Sequence, residues 1–181
     1  VLKATGDIIF IIKADDYYEI DIFNSIVDCY ISRNFPDIIY ADMVLMNEVT
    51  KQRRTIQPSL NGLVGSMTLN HPACFVSRKL YDEKLFDRNY KICADYDLMV
   101  FFKTKNKKFQ YLNKTAAYMR MGGASDNFKL STKEVFHVQL KYYGIVVALF
   151  NSGIRKLKRF LKYLIKYFLD DSSIEKLRGF K

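Results

Sequence analysis

The amino-acid sequence predicts an α/β domain followed by a helical C-terminal extension, and three observations support this prediction. Apolar runs bounded by polar residues are typical of buried strands, and segments with apolar residues at helical spacing alternate with them. From residue 131 onward the pattern is helical to the end of the chain. The 181 residues are 49% hydrophobic and 15% aromatic, which is enough apolar material for the core of one domain.

The first predicted strand ends in two adjacent carboxylates. Residues 8–12 are Ile, Ile, Phe, Ile and Ile, which predicts a central parallel strand covered on both faces. Asp15 and Asp16 follow at its C-terminal edge, where open α/β sheets bind ligands. Their oxygens suit Mg²⁺ or Mn²⁺ and, through the metal, a diphosphate. The residues alone equally allow a simple turn in which Asp16 caps a helix that begins near Glu19.

The next segments predict a helix, a strand and a loop. Apolar residues recur at helical spacing from Ile20 to Arg33, and an apolar strand over residues 38–46 follows the breaker at 34–37. This strand, helix, strand order is consistent with a parallel pair. Residues 47–70 are polar and contain one proline and two glycines, which predicts a mobile loop with little regular structure.

The second half of the chain continues the alternation. Asp95 and Asp97 give a predicted helix an acidic first turn, and lysines follow at its other end, as the helix dipole favours. Gly144 and residues 151–153 are predicted interruptions of the C-terminal helical region. The predicted elements are a short strand over 73–77, a helical turn over 78–84, a helix over 94–105, a strand over 109–121 and helix from 131.

Cysteine usage and charge limit the classes of protein. Three cysteines without Cys-x-x-Cys spacing argue against a disulfide framework or a zinc site and favour a reducing, cytoplasmic setting. The sequence shows no segment like a signal peptide and no apolar run long enough to span a bilayer. The net charge is +10, and residues 151–181 hold nine Lys or Arg against three acids. Most of the excess charge therefore lies in the tail.

Residues 154–169 predict an amphipathic helix in a membrane interface. The alternative is an ordinary surface helix docked on the domain, with Lys and Arg stems along its edges. Nucleic-acid binding is not predicted, because the aromatic residues do not alternate with the cations and no recognised motif is present. The apolar face comprises Ile154, Leu157, Phe160, Leu161, Leu164, Ile165 and Phe168, and the cationic face comprises Arg155, Lys156, Lys158, Arg159, Lys162 and Lys166.

Five sequence blocks carry a resemblance to a known family. They are Ala4-Thr5-Gly6-Asp7-Ile8-Ile9, Asp15-Asp16-Tyr17-Tyr18, His71-Pro72-Ala73-Cys74-Phe75, Phe86-Asp87-Arg88-Asn89-Tyr90-Lys91 running into Ala94-Asp95-Tyr96-Asp97-Leu98, and Gly122-Gly123-Ala124-Ser125. Their content and order resemble the family 2 glycosyltransferases, above all the bacterial enzymes that build surface polysaccharides. The resemblance covers roughly residues 1–130.

The resemblance implies a partial GT-A-like domain over residues 1–130, with a mixed sheet and flanking helices, and a basic helical extension over 131–181. The implied reaction moves a sugar from a nucleotide-diphosphate donor to a hydroxyl of a glycan or lipid-linked acceptor, with inversion. We expect further sequence upstream of Val1, because the family's first strands and base-binding loop have no counterpart here. The expected location is cytoplasmic, at the inner face of the membrane.

The resemblance also implies roles for individual residues in donor binding and catalysis. Asp16 would hold Mg²⁺ or Mn²⁺, Asp15 would assist at the donor, and Gly122 and Gly123 would approach the donor phosphates. Asp95 corresponds to the catalytic base, although many relatives carry Glu-Asp where this chain has Ala-Asp. The residues themselves also allow Asp95 to be a helix N-cap and the glycines to serve only a loop.

Two further residues are candidates for the acceptor or metal side of the site. His71 precedes a proline in the block that resembles the acceptor-side strand, but a lone histidine is more often structural. Asp97 is the second acid of its block and has either a structural or a secondary role. The rival to an enzyme is a noncatalytic, membrane-surface binding remnant of such an enzyme.

Overall fold

A computed structural model describes residue 1 and residues 3–47, 49–121 and 127–168. These residues form a mixed six-stranded sheet with helices on both faces, so the predicted α/β class is confirmed. Five strands lie in the order β1-β5-β3-β6-β2, and β4 pairs with β3. The strands are β1 (Ile8–Ile9), β2 (Tyr17–Tyr18), β3 (Ile38–Met46), β4 (Arg53–Ile56), β5 (Cys74–Ser77) and β6 (Phe109–Arg120).

The long strands β3 and β6 form the centre of the sheet. They are parallel and pair from Ile38 beside Phe109 to Met46 beside Arg120, with register shifts on either side of Asp42. All other pairings are antiparallel. The strands predicted over 38–46, 73–77 and 109–121 are therefore confirmed.

In the described part of the chain, four α-helices and two short 3-10 helices accompany the sheet. The helices predicted to follow Ile20 and to begin at Ala94, and the helical turn at 78–84, are confirmed. The bounds are α1 (Ile22–Ser32), α2 (Leu80–Glu83), α3 (Ala94–Thr104) and α4 (Phe128–Phe168), with 3-10 helices at Asn61–Val64 and His71–Ala73.

The sheet buries apolar side chains on both faces. Ile22 and Ile26 of α1 pack with Ile39 on one face. Since neighbouring strand residues point to opposite faces, Ile38 lies on the other face, where it packs in a cluster with Leu98 of α3 and Val138 of α4. The result is a three-layer arrangement in which α4 contributes to the core.

The prediction of a central parallel strand over residues 8–12 is wrong. Strand β1 comprises only Ile8–Ile9 and lies at the edge of the sheet, antiparallel to β5. After Ile9 the chain leaves the ladder, and the ring of Phe10 packs against Tyr18, with ring centroids 5.3 Å apart. Aromatic packing thus replaces strand pairing for part of this apolar run. Because β1 and β3 both run antiparallel to β5, they point the same way without pairing.

The prediction of an irregular loop over residues 47–70 is also wrong in part. Asn47 Oδ1 accepts hydrogen bonds from the N–H groups of Val49 and Thr50, at 3.0 and 3.2 Å, and this turn returns the chain along β3. Strand β4 then pairs antiparallel with β3, with Arg53 beside Met46. Strand β4 is an edge strand of polar composition. The sequence therefore lacks the apolar pattern that would have predicted this hairpin.

Helix α4 bends at Gly144, where φ is 80° and ψ is 175°. The predicted interruption at Gly144 is therefore confirmed. The predicted interruption at residues 151–153 is wrong, because these residues remain helical. Among the described residues, no helix is long and apolar enough to cross a membrane.

Candidate functional site

Asp16 lies where β2 meets the end of β6. Tyr17 pairs with Tyr118 in the ladder, and the backbone N–H of Arg120 donates a hydrogen bond to Asp16 Oδ1 at 3.3 Å. Asp15 is exposed in the turn that precedes β2. Asp16 thus lies beside the last residues of β6, and Asp15 precedes it in the exposed turn.

Two polar atoms near this edge are buried without a hydrogen-bond partner, namely Asp16 Oδ2 and the hydroxyl of Tyr18. Burial raises the pKa of Asp16, and the negative charge of Asp15 adds to this effect, whereas the Arg120 N–H and the Lys13 cation oppose it. Burial also raises the pKa of Tyr18. Because buried polar atoms in proteins are nearly always paired, these two atoms are candidates for contact with a cation or a hydrogen-bonding ligand.

Asp95 is half-buried in the first turn of α3. Its Oδ1 accepts a hydrogen bond from the N–H of Tyr96 at 2.7 Å. The N-cap position belongs to Cys93, not to Asp95, so the N-cap alternative is wrong in position. Asp95 still satisfies one free N–H of the helix terminus, which fixes the direction of its carboxylate.

The charges of Asp95 and Lys13 both act on the pKa of His71. Burial lowers the pKa of His71, the Asp95 carboxylate opposes this shift, and the Lys13 cation adds to it. The same Lys13 cation partly opposes the rise in the pKa of Asp16 that burial causes. Lys13 therefore acts electrostatically on both parts of the candidate site, a role that its position in the sequence did not indicate.

The side chains of Tyr18 and Cys74 also respond to the charges of these two acids. Burial raises the pKa of Cys74, and the charge of Asp95 raises it further. Cys74 in turn contributes with Asp16 to the raised pKa of Tyr18. Asp16 and Asp95 come from segments almost eighty positions apart in the sequence, yet the charge of Asp16 acts on Tyr18 and that of Asp95 on Cys74.

A cationic cleft opens beside Asp16. It has a volume of about 290 Å³. Tyr17, at its wall, stacks on Tyr118 with ring centroids 4.7 Å apart. Three cations among the lining residues suit an anionic group such as a phosphate. The lining residues are Tyr17, Met46, Asn47, Lys51, Arg53 and Arg120.

The fit of Mg²⁺ or Mn²⁺ depends on Asp16 and Asp15. Within the described ranges, no group of three or more His, Cys, Asp or Glu side chains is arranged to hold a metal ion. Mg²⁺, however, is commonly bound by one or two carboxylates together with substrate phosphates. The Oδ2 of Asp16, which has no hydrogen-bond partner, supplies an oxygen of the right chemistry for such an ion.

Asp97 lies in a separate ion-pair network. It is fully buried, with Oδ2 at 2.5 Å from Lys84 Nζ and Oδ1 at 3.0 Å from Lys141 Nζ. Burial disfavours the Lys141 cation, but hydrogen bonds to Asp97 and Tyr142 outweigh burial and raise the pKa of Lys141. These contacts favour the structural role among the two predicted for Asp97.

The remaining predicted site residues, Gly122 and Gly123, lie outside the described residues. Sequence reasoning missed Glu134, whose carboxylate accepts hydrogen bonds from the N–H groups of Lys91, Ile92 and Cys93, each at 2.9 Å. This side chain of α4 holds the turn that leads into Asp95. An acid more than forty residues downstream of the turn that it contacts gives no sequence signal for such a contact.

The chain matches no protein-family model and no curated protein. Its function must therefore be argued from the arrangement of Asp16, Lys13, His71 and Asp95.

Proposed function

We propose that this chain belongs to a metal-dependent glycosyltransferase of the GT-A type, similar to family 2. It would move a sugar from a nucleotide-diphosphate donor to a hydroxyl of a glycan or lipid-linked acceptor, with inversion. The observation that carries the proposal is the buried, unpartnered Asp16 Oδ2 beside a cationic cleft, with Lys13 acting on both Asp16 and the His71–Asp95 pair.

In this proposal Asp16, assisted by Asp15, holds Mg²⁺ or Mn²⁺. When bound, the metal would neutralise charge on the diphosphate leaving group. Arg53 and Arg120 of the cleft contribute further positive charge at the same place.

Asp95 serves as the general base on the acceptor side. It takes the proton of the acceptor hydroxyl while the hydroxyl oxygen attacks the anomeric carbon and the bond to the nucleoside diphosphate breaks. The hydrogen bond from the Tyr96 N–H orients its carboxylate for this step. His71, whose pKa is lowered by burial, is uncharged at neutral pH and lies on the same side.

The proposal is tested with two substitutions and a control. Asp95→Asn is expected to reduce sugar transfer by roughly 100-fold or more while leaving manganese-dependent binding of the nucleotide sugar unchanged. Asp16→Asn is expected to abolish that binding. Asp28→Asn, on an exposed position of α1, should change neither. Transfer and calorimetric binding would be measured with a panel of UDP- and GDP-sugars.

The outcomes separate the proposal from its rival. Transfer at the wild-type rate by Asp95→Asn would show that another group is the base. No heat of binding for any donor with manganese would favour the noncatalytic, membrane-surface remnant. The observation that supports this rival is the exposure of apolar residues on α4.

A further inference from the structure

Beyond Gly144, helix α4 carries a continuous apolar stripe that the other described residues of the chain do not cover. Its members recur at helical spacing, and each is between 47% and 77% exposed. The amphipathic pattern was expected to begin at Ile154, but it begins eight residues earlier because residues 151–153 remain helical. Six residues define the upstream part of the stripe: Val146, Leu149, Phe150, Leu157, Phe160 and Leu161.

The opposite side of the same helix is attached to the domain. Ala148 is fully buried, Asn151 Nδ2 donates to the carbonyl of Val64 at 3.0 Å, and Arg155 Nη1 donates to the carbonyl of Gly65 at 2.9 Å. Positions 148, 151 and 155 share one helix face. This attachment turns the apolar stripe away from the domain.

Arg155 therefore departs from its predicted place on the free cationic face. Its second guanidinium nitrogen donates to Gln139 Oε1 at 3.2 Å, within α4. Carbonyl groups at the end of the 3-10 helix Asn61–Val64 can accept hydrogen bonds from a guanidinium. Arg155 therefore points toward the domain. The alternative of a surface helix docked on the domain holds for the side that carries Arg155. It does not extend to the apolar residues Leu157, Phe160 and Leu161, which are exposed.

The charges beside the stripe indicate what covers it. The sequence has no Asp or Glu between Glu134 and Asp170, but it has six Lys or Arg between 155 and 166. Lys156 and Lys158 are exposed. A second copy of this helix would bring like charges together, whereas anionic lipid headgroups complement them.

We propose that residues 146–168 of α4 lie flat on an anionic lipid bilayer, with the apolar stripe among the acyl chains and the lysines among the headgroups. The contacting segment is roughly 35 Å long at about 1.5 Å per residue. This inference goes beyond sugar transfer and does not depend on it. It also places the domain where a lipid-linked acceptor is within reach.

The test is flotation of the full chain with vesicles of phosphatidylglycerol and phosphatidylcholine, compared with pure phosphatidylcholine. We expect binding to the anionic vesicles, and we expect the double variant Leu149→Ser/Phe150→Ser to lose it by at least roughly tenfold. The matched control is Val27→Ser/Ile31→Ser on α1, whose side chains are similarly exposed, at 52% and 60% against 58% and 69%. The control should bind like the wild type.

Two further variants separate the contributions of charge and apolar area. Lys156→Gln/Lys158→Gln is expected to weaken binding several-fold and to flatten its dependence on salt. Gly153→Leu adds an apolar side chain within the stripe, where a Cβ meets nothing within 4 Å, and is expected to strengthen binding. Circular dichroism would check that each variant is folded.

Three results would overturn the proposal. One is no binding of the wild type to anionic vesicles. Another is equal binding by the α4 and α1 double variants. The third is a wild-type dimer in light scattering without vesicles that the α4 double variant converts to a monomer, since a second copy would then cover the stripe.

Discussion

At the scale of single residues, Glu134 stabilises the segment that presents Asp95. Burial alone would raise the pKa of Glu134, but the three backbone N–H groups that donate to it outweigh burial and lower its pKa. The ionised form therefore stabilises the folded state. Its contribution is complete above the unfolded pKa of about 4.3 and is lost as the pH falls through the lower folded pKa.

We predict that Glu134→Gln lowers the free energy of unfolding at pH 7 by about 2 kcal/mol. The amide oxygen of glutamine can still accept a hydrogen bond, so the loss is of the order of one hydrogen bond to a charged group, roughly 1.5–3 kcal/mol. The difference from the wild type should shrink as the pH falls below about 4. Urea unfolding at several pH values measures both effects. Glu83→Gln, which breaks a surface ion pair with Lys107, is the control and should cost less than about 1 kcal/mol. A difference that is the same at pH 3 and pH 7 would contradict the role of the Glu134 charge.

The two acids Asp95 and Asp97 should respond differently to the same substitution. We predict that Asp97→Asn destabilises the protein by about 3 kcal/mol, because it leaves the cation of Lys84 partly buried without its partner. Asp95→Asn should leave the melting temperature nearly unchanged. Thermal unfolding of both variants makes the comparison, and a larger loss of stability from Asp95→Asn would reverse our assignment of the structural acid.

At the scale of elements, the bend in α4 depends on Gly144. Its φ of 80° and ψ of 175° lie in a region that is essentially restricted to glycine. We predict that Gly144→Ala destabilises the protein by about 1–3 kcal/mol, measured by urea unfolding. Gly153→Ala, in the same helix with no positive φ and open space around it, should instead stabilise by up to about 1 kcal/mol. Stabilisation by both substitutions would mean that the helix runs straight through Gly144.

Elements with strong periodicity could be predicted from the sequence, and elements that depend on distant partners could not. Helices α1 and α3 and strands β3 and β6 have long apolar patterns that leave one assignment. The run at residues 8–12 has the composition of a central strand, but its place in the sheet is set by pairing with β5. Strand β4 forms because the Asn47 turn reverses the chain and because β3 pairs with it. Neither feature produces an apolar pattern in the sequence.

Residues 151–153 illustrate the limit of local propensity. Asn, Ser and Gly in succession favour a break, yet the helix continues there. The hydrogen bond from Asn151 to the Val64 carbonyl, together with that from Arg155 to Gly65, holds both ends of the segment against the domain. Tertiary contacts of this kind override propensities of about 1 kcal/mol per residue.

At the scale of the whole molecule, the candidate site is assembled from five separate segments of the chain. The sequence blocks indicated Asp15, Asp16 and Asp95 because short acidic motifs are local. No role was predicted for Lys13 or Tyr18, since the charge of Lys13 acts on His71 and Tyr18 is influenced by Cys74 only in the folded chain. Such proximity is a property of the folded chain and has no local sequence pattern.

The turn at residues 63–65 links the outward-facing helix to the neighbour of Asp95. Its Leu63 carbonyl accepts a hydrogen bond from the Tyr96 hydroxyl at 2.8 Å, while its next two carbonyls bind Asn151 and Arg155. The Tyr96 N–H in turn fixes the Asp95 carboxylate. Through residues 63–65 and Tyr96, the exposed helix and the candidate base therefore belong to one connected set of hydrogen bonds.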